Sequence, residues 1–81
     1  MMRSGMDDDE RAGAWEELYR VLPHGWVVMV PVWRAGERVW AVYARKPNGP
    51  RHVIGPWREA FGSTQTIALR AMAQQFWNLR Q

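Results

Sequence analysis

Cysteine is absent from all 81 residues, which excludes disulfides, thiolate nucleophiles and sulfur-rich metal sites together. A reducing, cytoplasmic setting is the natural expectation. Histidine is nearly absent too. His24 and His52 are the only two, and neither has a carboxylate or a second histidine at a metal-ligand spacing, so no metal and no cofactor is expected. No apolar run approaches the roughly 18 residues of a membrane span. The longest, Trp26 to Trp33, is interrupted by Pro31, so no membrane association is expected. The first six residues lack the apolar centre of a secretory signal and run straight into Asp7, Asp8, Asp9 and Glu10. Acidic residues are scarce beyond residue 17. From residue 18 onward nine Arg or Lys face only Glu37 and Glu59, a local net charge of +7 within a chain of +3. Such asymmetry suits an acidic partner or a polyanion, and equally suits a scattered, solvated surface.

What is present describes one small domain. Hydrophobic residues are 47% of the chain, enough for a core and too many for a disordered segment. A chain of this length supports one core with little interior to spare, so binding is expected on the outside. Residues 1–6 are read as a flexible N-terminus and 7–81 as a single α+β domain. Asp7 or Asp8 offers an N-cap, and the Asp7 to Glu10 spacing resembles a capping box at the positive end of a helix. On that helix Ala12, Trp15, Leu18, Tyr19 and Leu22 share one side, and Pro23-His24-Gly25 ends it. Trp26 to Trp33 reads as an edge strand because it contains Pro31. Arg34-Ala35-Gly36-Glu37 reads as a hairpin loop, Arg38 to Arg45 as the returning central strand, and Lys46 to Pro50 as a turn. Arg51 to Ile54 reads as a short third strand. Ser63 or Thr64 caps a last helix whose inner face is Ala68, Leu69, Met72, Phe76 and Leu79. The expected fold is therefore α-β-β-β-α, a three-stranded antiparallel meander flanked by amphipathic helices.

The sheet carries the functional expectation. An even-numbered loop pairs Val32 with Val39, Val30 with Ala41 and Val28 with Tyr43 on one face. Trp33 then lies beside Arg38, Pro31 beside Trp40, Met29 beside Val42 and Val27 beside Ala44 on the other. Both faces are apolar, although an antiparallel sheet with one solvated side should alternate. If both helices cover the valine face, the face of Met29, Trp33, Arg38, Trp40 and Val42 is left for a second copy or another protein; if they take opposite sides, no patch remains. Aromatic residues, Met and Arg are the types enriched at interface centres. The expected function is thus a non-enzymatic binding or regulatory module acting through protein contacts, with self-association across an aromatic sheet face. Nucleic-acid binding is the alternative, through Arg34, Arg45, Lys46, Arg51, His52 and Arg58 around the aromatic rings. Ser63 and Thr64 have no His and acid partner set, so nothing nominates a catalytic residue.

The element order also resembles that of the double-stranded RNA-binding domain. Gly49-Pro50-Arg51-His52 matches the Gly-Pro-x-His letters of a loop in that family, but here they follow the second strand rather than the first. The last helix opens Ser63-Thr64-Gln65-Thr66 without the family's lysines. The resemblance implies a fold order and does not carry over the phosphate-gripping residues.

Overall fold

A computed structural model describes residues 3–47 and 56–80. Helix α1 spans Arg3–Val21, strands β1 Val27–Val28, β2 Val32–Arg34, β3 Val39–Arg45 and β4 Trp57–Gly62 follow, and helix α2 spans Gln65–Arg80. This is the expected α+β order with a fourth strand. The four strands form three lanes: β1 and β2 lie end to end along one edge of β3, and β4 lies along the other, all antiparallel.

Both helices contribute to a single buried cluster on one side of the sheet. Ala14 and Leu18 of α1 join Ala68, Leu69, Met72, Ala73 and Phe76 of α2, and these meet Val42, Ala44 and Ala60 from the sheet. Helix α1 packs along α2, while α2 packs on β3 and β4. Trp26, from the turn after α1, sets its ring edge-on to Phe76 with centroids 5.0 Å apart, a favoured aromatic geometry. Five large side chains, Phe76, Leu18, Leu69, Met72 and Val42, are fully buried. At about 1.5–3 kcal/mol each they dominate the favourable side of folding for so small a chain.

The local causes are readable. Thr64 caps α2, its hydroxyl accepting the Ile67 amide at 3.1 Å. Of the expected inner face of α2, Ala68, Leu69, Met72 and Phe76 are buried, whereas Leu79 near the helix end is exposed. Helix α1 begins at Arg3, ahead of the acidic run. Asp8 is therefore inside the helix, where it accepts a 2.7 Å bond from Arg11 one turn on. Its buried stripe runs through Ala14, Leu18 and the partly buried Trp15, Val21 and Leu22. Tyr19 lies outside that stripe and stacks on Trp15 at 5.6 Å. Gly25, at φ 91°, makes the left-handed turn that ends the helical segment.

The hairpin register differs from the expected one. Arg34 pairs with Val39, Trp33 with Trp40 and Val32 with Ala41, so the loop is the four residues Ala35 to Arg38. Two turn bonds hold it, Glu37 amide to Arg34 carbonyl and Arg38 amide to Ala35 carbonyl, and Arg38 takes φ 55° to close it. Upstream, Val28 pairs with Ala44 and Val27 with Arg45. Four steps along the first lane, from Val28 to Val32, thus oppose three along β3, from Ala44 to Ala41. Met29 still donates its amide to the Tyr43 carbonyl at 2.8 Å, so the one extra residue is accommodated at Val30 and Pro31 opposite Val42, as in a β-bulge. Pro31, which has no amide to donate, sits within that irregular stretch and separates β1 from β2.

The third lane is Trp57–Gly62, a stretch whose Trp, Glu and Phe alternate outward with Arg, Ala and Gly inward. The expected third strand, Arg51 to Ile54, lies outside the described residues. The ladder extends one step past the strands through the Lys46 amide, which donates to the Pro56 carbonyl at 2.9 Å.

Candidate functional site

Residues directly opposite one another in an antiparallel sheet point to the same side, so the registers sort every sheet residue. The helix-covered side holds Trp33, Trp40 and Gly62 in one row, then Val42 with Ala60, then Val28, Ala44 and Arg58. The outward side holds Arg34 with Val39, then Val32, Ala41 and Phe61, then Tyr43 with Glu59, then Val27, Arg45 and Trp57.

This corrects the expected assignment of faces. Trp40 and Val42, anticipated on the open face, lie on the covered one: Val42 is fully buried, and Trp40 is partly buried against the core. Trp33 shares that side at the margin of the helices, its ring 5.6 Å from that of Trp40. The grouping along β2 and β3 survives because the pairing register shifts by two residues; what changes is the side the helices choose. The bulge then carries Val28 to the covered side and Val27 to the open one. Met29, whose amide donates to the Tyr43 carbonyl at 2.8 Å, continues the β1 register level with Tyr43 on the open side and is exposed, and Arg38 is exposed in the loop.

The open face is apolar at its borders and polar at its centre. Val27 is 48% exposed, Val32 48%, Phe61 41% and Trp57 56%. Ala41, at the middle, is nonetheless fully buried. Arg34 extends its guanidinium from its own row toward Tyr43 two rows away, and Ala41 lies in the row between. One Nη donates to the Tyr43 hydroxyl at 3.1 Å, while Nε and the other Nη form a fork on the Glu37 carboxylate at 2.6 and 3.1 Å. The guanidinium carbon is 5.9 Å from the Phe61 ring centroid, within cation–π range. The Tyr43 hydroxyl first, and then the Glu37 carboxylate, raise the Arg34 pKa above the ordinary arginine value. The methyl of Ala41 is small enough to leave the furrow that this side chain fills.

The other cationic residues do not gather on one surface. Arg58 is on the covered side, partly buried, with its Nε buried and unpartnered. Arg45 and Lys46 are exposed at one end of β3 and Arg38 at the other, separated by roughly 23 Å at about 3.3 Å per residue. Arg51 and His52 lie outside the described residues. Among the described residues no three His, Asp or Glu side chains form a metal-holding group.

Both sheet edges are blunted. The bulge and Pro31 interrupt the first lane. On β4, alternate residues Trp57, Glu59 and Phe61 direct their backbone groups away from β3, and the Gln75 side-chain amide of α2 occupies the Glu59 carbonyl at 2.8 Å. A cleft of about 500 Å³ opens at the start of α2 between Trp40, Ser63, Thr64, Arg11 and Arg70. Three of its polar groups are committed: Arg11 to Asp8, Thr64 to the cap, and Arg70 within 3.9 Å of Glu17.

No protein-family model, curated protein or solved structure matches this chain. No described helix is long and apolar enough to cross a membrane.

Proposed function

We propose that this chain is a non-enzymatic binding module that works through protein contacts on the open face of its sheet. One observation carries the reading. Both helices pack on the same side, and the other side bears Val27, Val32, Phe61 and Trp57, each about half exposed. Scattered single apolar residues on a surface need no explanation, but four of them framing one sheet face form a patch of the kind that marks interaction sites. The centre of that patch holds the Arg34 guanidinium and Tyr43, and Arg and Tyr are among the residue types that dominate interface energetics. Arg34 is held in place before any partner arrives, which lowers the ordering cost of association.

Charge favours protein over nucleic acid on this face. Arg34 is paired with Glu37 of the loop and Arg45 lies one row from Glu59, so the cations of the face itself are partly compensated, whereas phosphate recognition depends on uncompensated cations.

The test is a photo-activatable residue placed at Phe61 and, as a control, at the exposed Tyr19 of α1, in cells expressing the chain. Protein adducts at position 61 and none at 19 are expected. Nucleic-acid adducts at 61 would transfer the reading to the alternative, and the absence of adducts there would overturn it.

A further inference from the structure

The occupant that fits this face best is a single helix. Resting on the protein-contact reading above, we infer that the open face receives one acidic amphipathic helix of a partner protein, which lies along β3 and completes a helix–sheet–helix sandwich.

Size selects a helix. Three lanes of up to seven residues give a face of roughly 14 by 24 Å. That is under half of the about 800 Å² each folded partner contributes to a standard interface. A helix is about 10–12 Å across and rises about 1.5 Å per residue, so about 16 residues cover the face from end to end. An added strand is disfavoured because both edges are blunted, one by Pro31 between β1 and β2 and the other by Gln75 on the Glu59 carbonyl. Helix α2 already packs on β3 and β4 from the other side.

Shape agrees. On the first lane Val27, Met29 and Val32 stand in successive rows, with the exposed Val30 of the bulge between the last two. On the third lane Trp57 and Phe61 flank Glu59. These two apolar rims are about 10 Å apart, two strand spacings, which is the width of a helix. The lane between them holds the buried Ala41 and the half-buried Tyr43. A helix seated there sets the i, i+3, i+4 and i+7 side chains of its apolar stripe against both rims.

Charge makes the helix acidic. Six of the eight acidic residues lie on α1, on the far side of the sheet. The described sheet segments, 26–47 and 56–62, carry Arg34, Arg38, Arg45, Lys46 and Arg58 against Glu37 and Glu59, a net +3. A partner approaching the open face therefore meets a positive field, and the acids of α1 are screened from it by the rest of the domain. Arg45 is exposed at one end of the face and Arg38 in the loop at the other, and among the described residues neither forms an ion pair. At the centre, Tyr43 and Glu37 engage three of the five guanidinium donors of Arg34, which leaves two for a carboxylate of the partner. Glu59 repels a carboxylate on the third lane, so the acids of the helix fall toward the first lane.

The experiment places a photo-activatable residue at Val27, Val32 or Phe61 of the full chain in cells and maps by mass spectrometry which residues of the captured protein are joined to it. All three positions are about half exposed, so the circular dichroism of each variant should match that of the parent chain. Positions 27 and 32 lie four β3 residues apart, about 13 Å, which a helix spans in about nine residues and an extended strand in about four. Adducts from 27 and 32 about nine residues apart in one segment, with those from 32 and 61 within about one turn of each other, are expected. Arg45→Glu should cut the adduct yield at 32 about fivefold or more, and Arg20→Glu on the exposed side of α1 should leave it unchanged. Spacings of about four residues, adducts scattered over separate segments, adducts to a second copy of this chain, or a yield indifferent to Arg45→Glu would overturn the inference and leave the protein-contact reading standing. No protein adducts at 32 and 61 would remove both.

Discussion

Gly62 is where a single hydrogen decides how close two elements come. A Cβ built there would lie 2.5 Å from the Ala68 amide nitrogen and 2.6 Å from the Ile67 side chain. The end of β4 could not then approach the first turn of α2. Gly62→Ala should lower stability by about 1–3 kcal/mol, the range of overpacked sites, because a backbone nitrogen cannot swing aside. A thermal melt would read this as a drop of at least about 4 °C in so small a domain. Arg38 presents the opposite case, a side chain where glycine belongs. Its φ of 55° costs an L-residue about 1–2 kcal/mol, and glycine pays no such penalty. Arg38→Gly should therefore raise stability by up to about 1 kcal/mol in denaturant titration, and Arg38→Val should lower it, since a branched Cβ tolerates that conformation least. Neither effect is legible from composition. Gly62 reads as a loop glycine and Arg38 as a strand residue until the four-residue turn and the helix approach are known.

At the scale of elements, α2 was the most readable part of the chain. Its cap, its apolar period and its inner face follow from local spacing alone, apart from Leu79, which lies beyond the sheet's cover. Thr64→Ala should cost about 1 kcal/mol in a denaturation midpoint, the ordinary value of a lost N-cap. Strand β4 was hidden for a physical reason. Gly55-Pro56 before it and Gly62-Ser63 after it read as loop punctuation, and its inward residues, Arg58, Ala60 and Gly62, are not the branched apolar types that announce a strand. The bulge at Val30 and Pro31 was signalled only by Pro31, which marks an irregularity without saying how many residues it absorbs. That single residue decides whether Val27 or Val28 faces the helices.

For the whole molecule, the question is which side of a sheet with apolar residues on both faces the helices take. Val42 and Val32 sit on opposite sides, and a buried charge without a partner costs far more than an exposed one. Val42→Asp should abolish the cooperative transition. Val32→Asp, at a half-exposed position, should leave it within about 0.5 kcal/mol. A larger loss from Val32→Asp than from Val42→Asp would mean that the faces have been assigned the wrong way round. Residue pattern alone determined the α+β class, the order of helices and strands, the antiparallel meander with β3 at its centre, and the fact that the sheet is apolar on both sides. These depend on periods, caps and turn residues that act within a few positions of one another. Which face became core, and which was left open, was decided only in three dimensions. It depends on the small side chains of Ala44, Ala60 and Gly62, which let α2 lie close on one side, and on Arg34, which fills the furrow above Ala41 on the other.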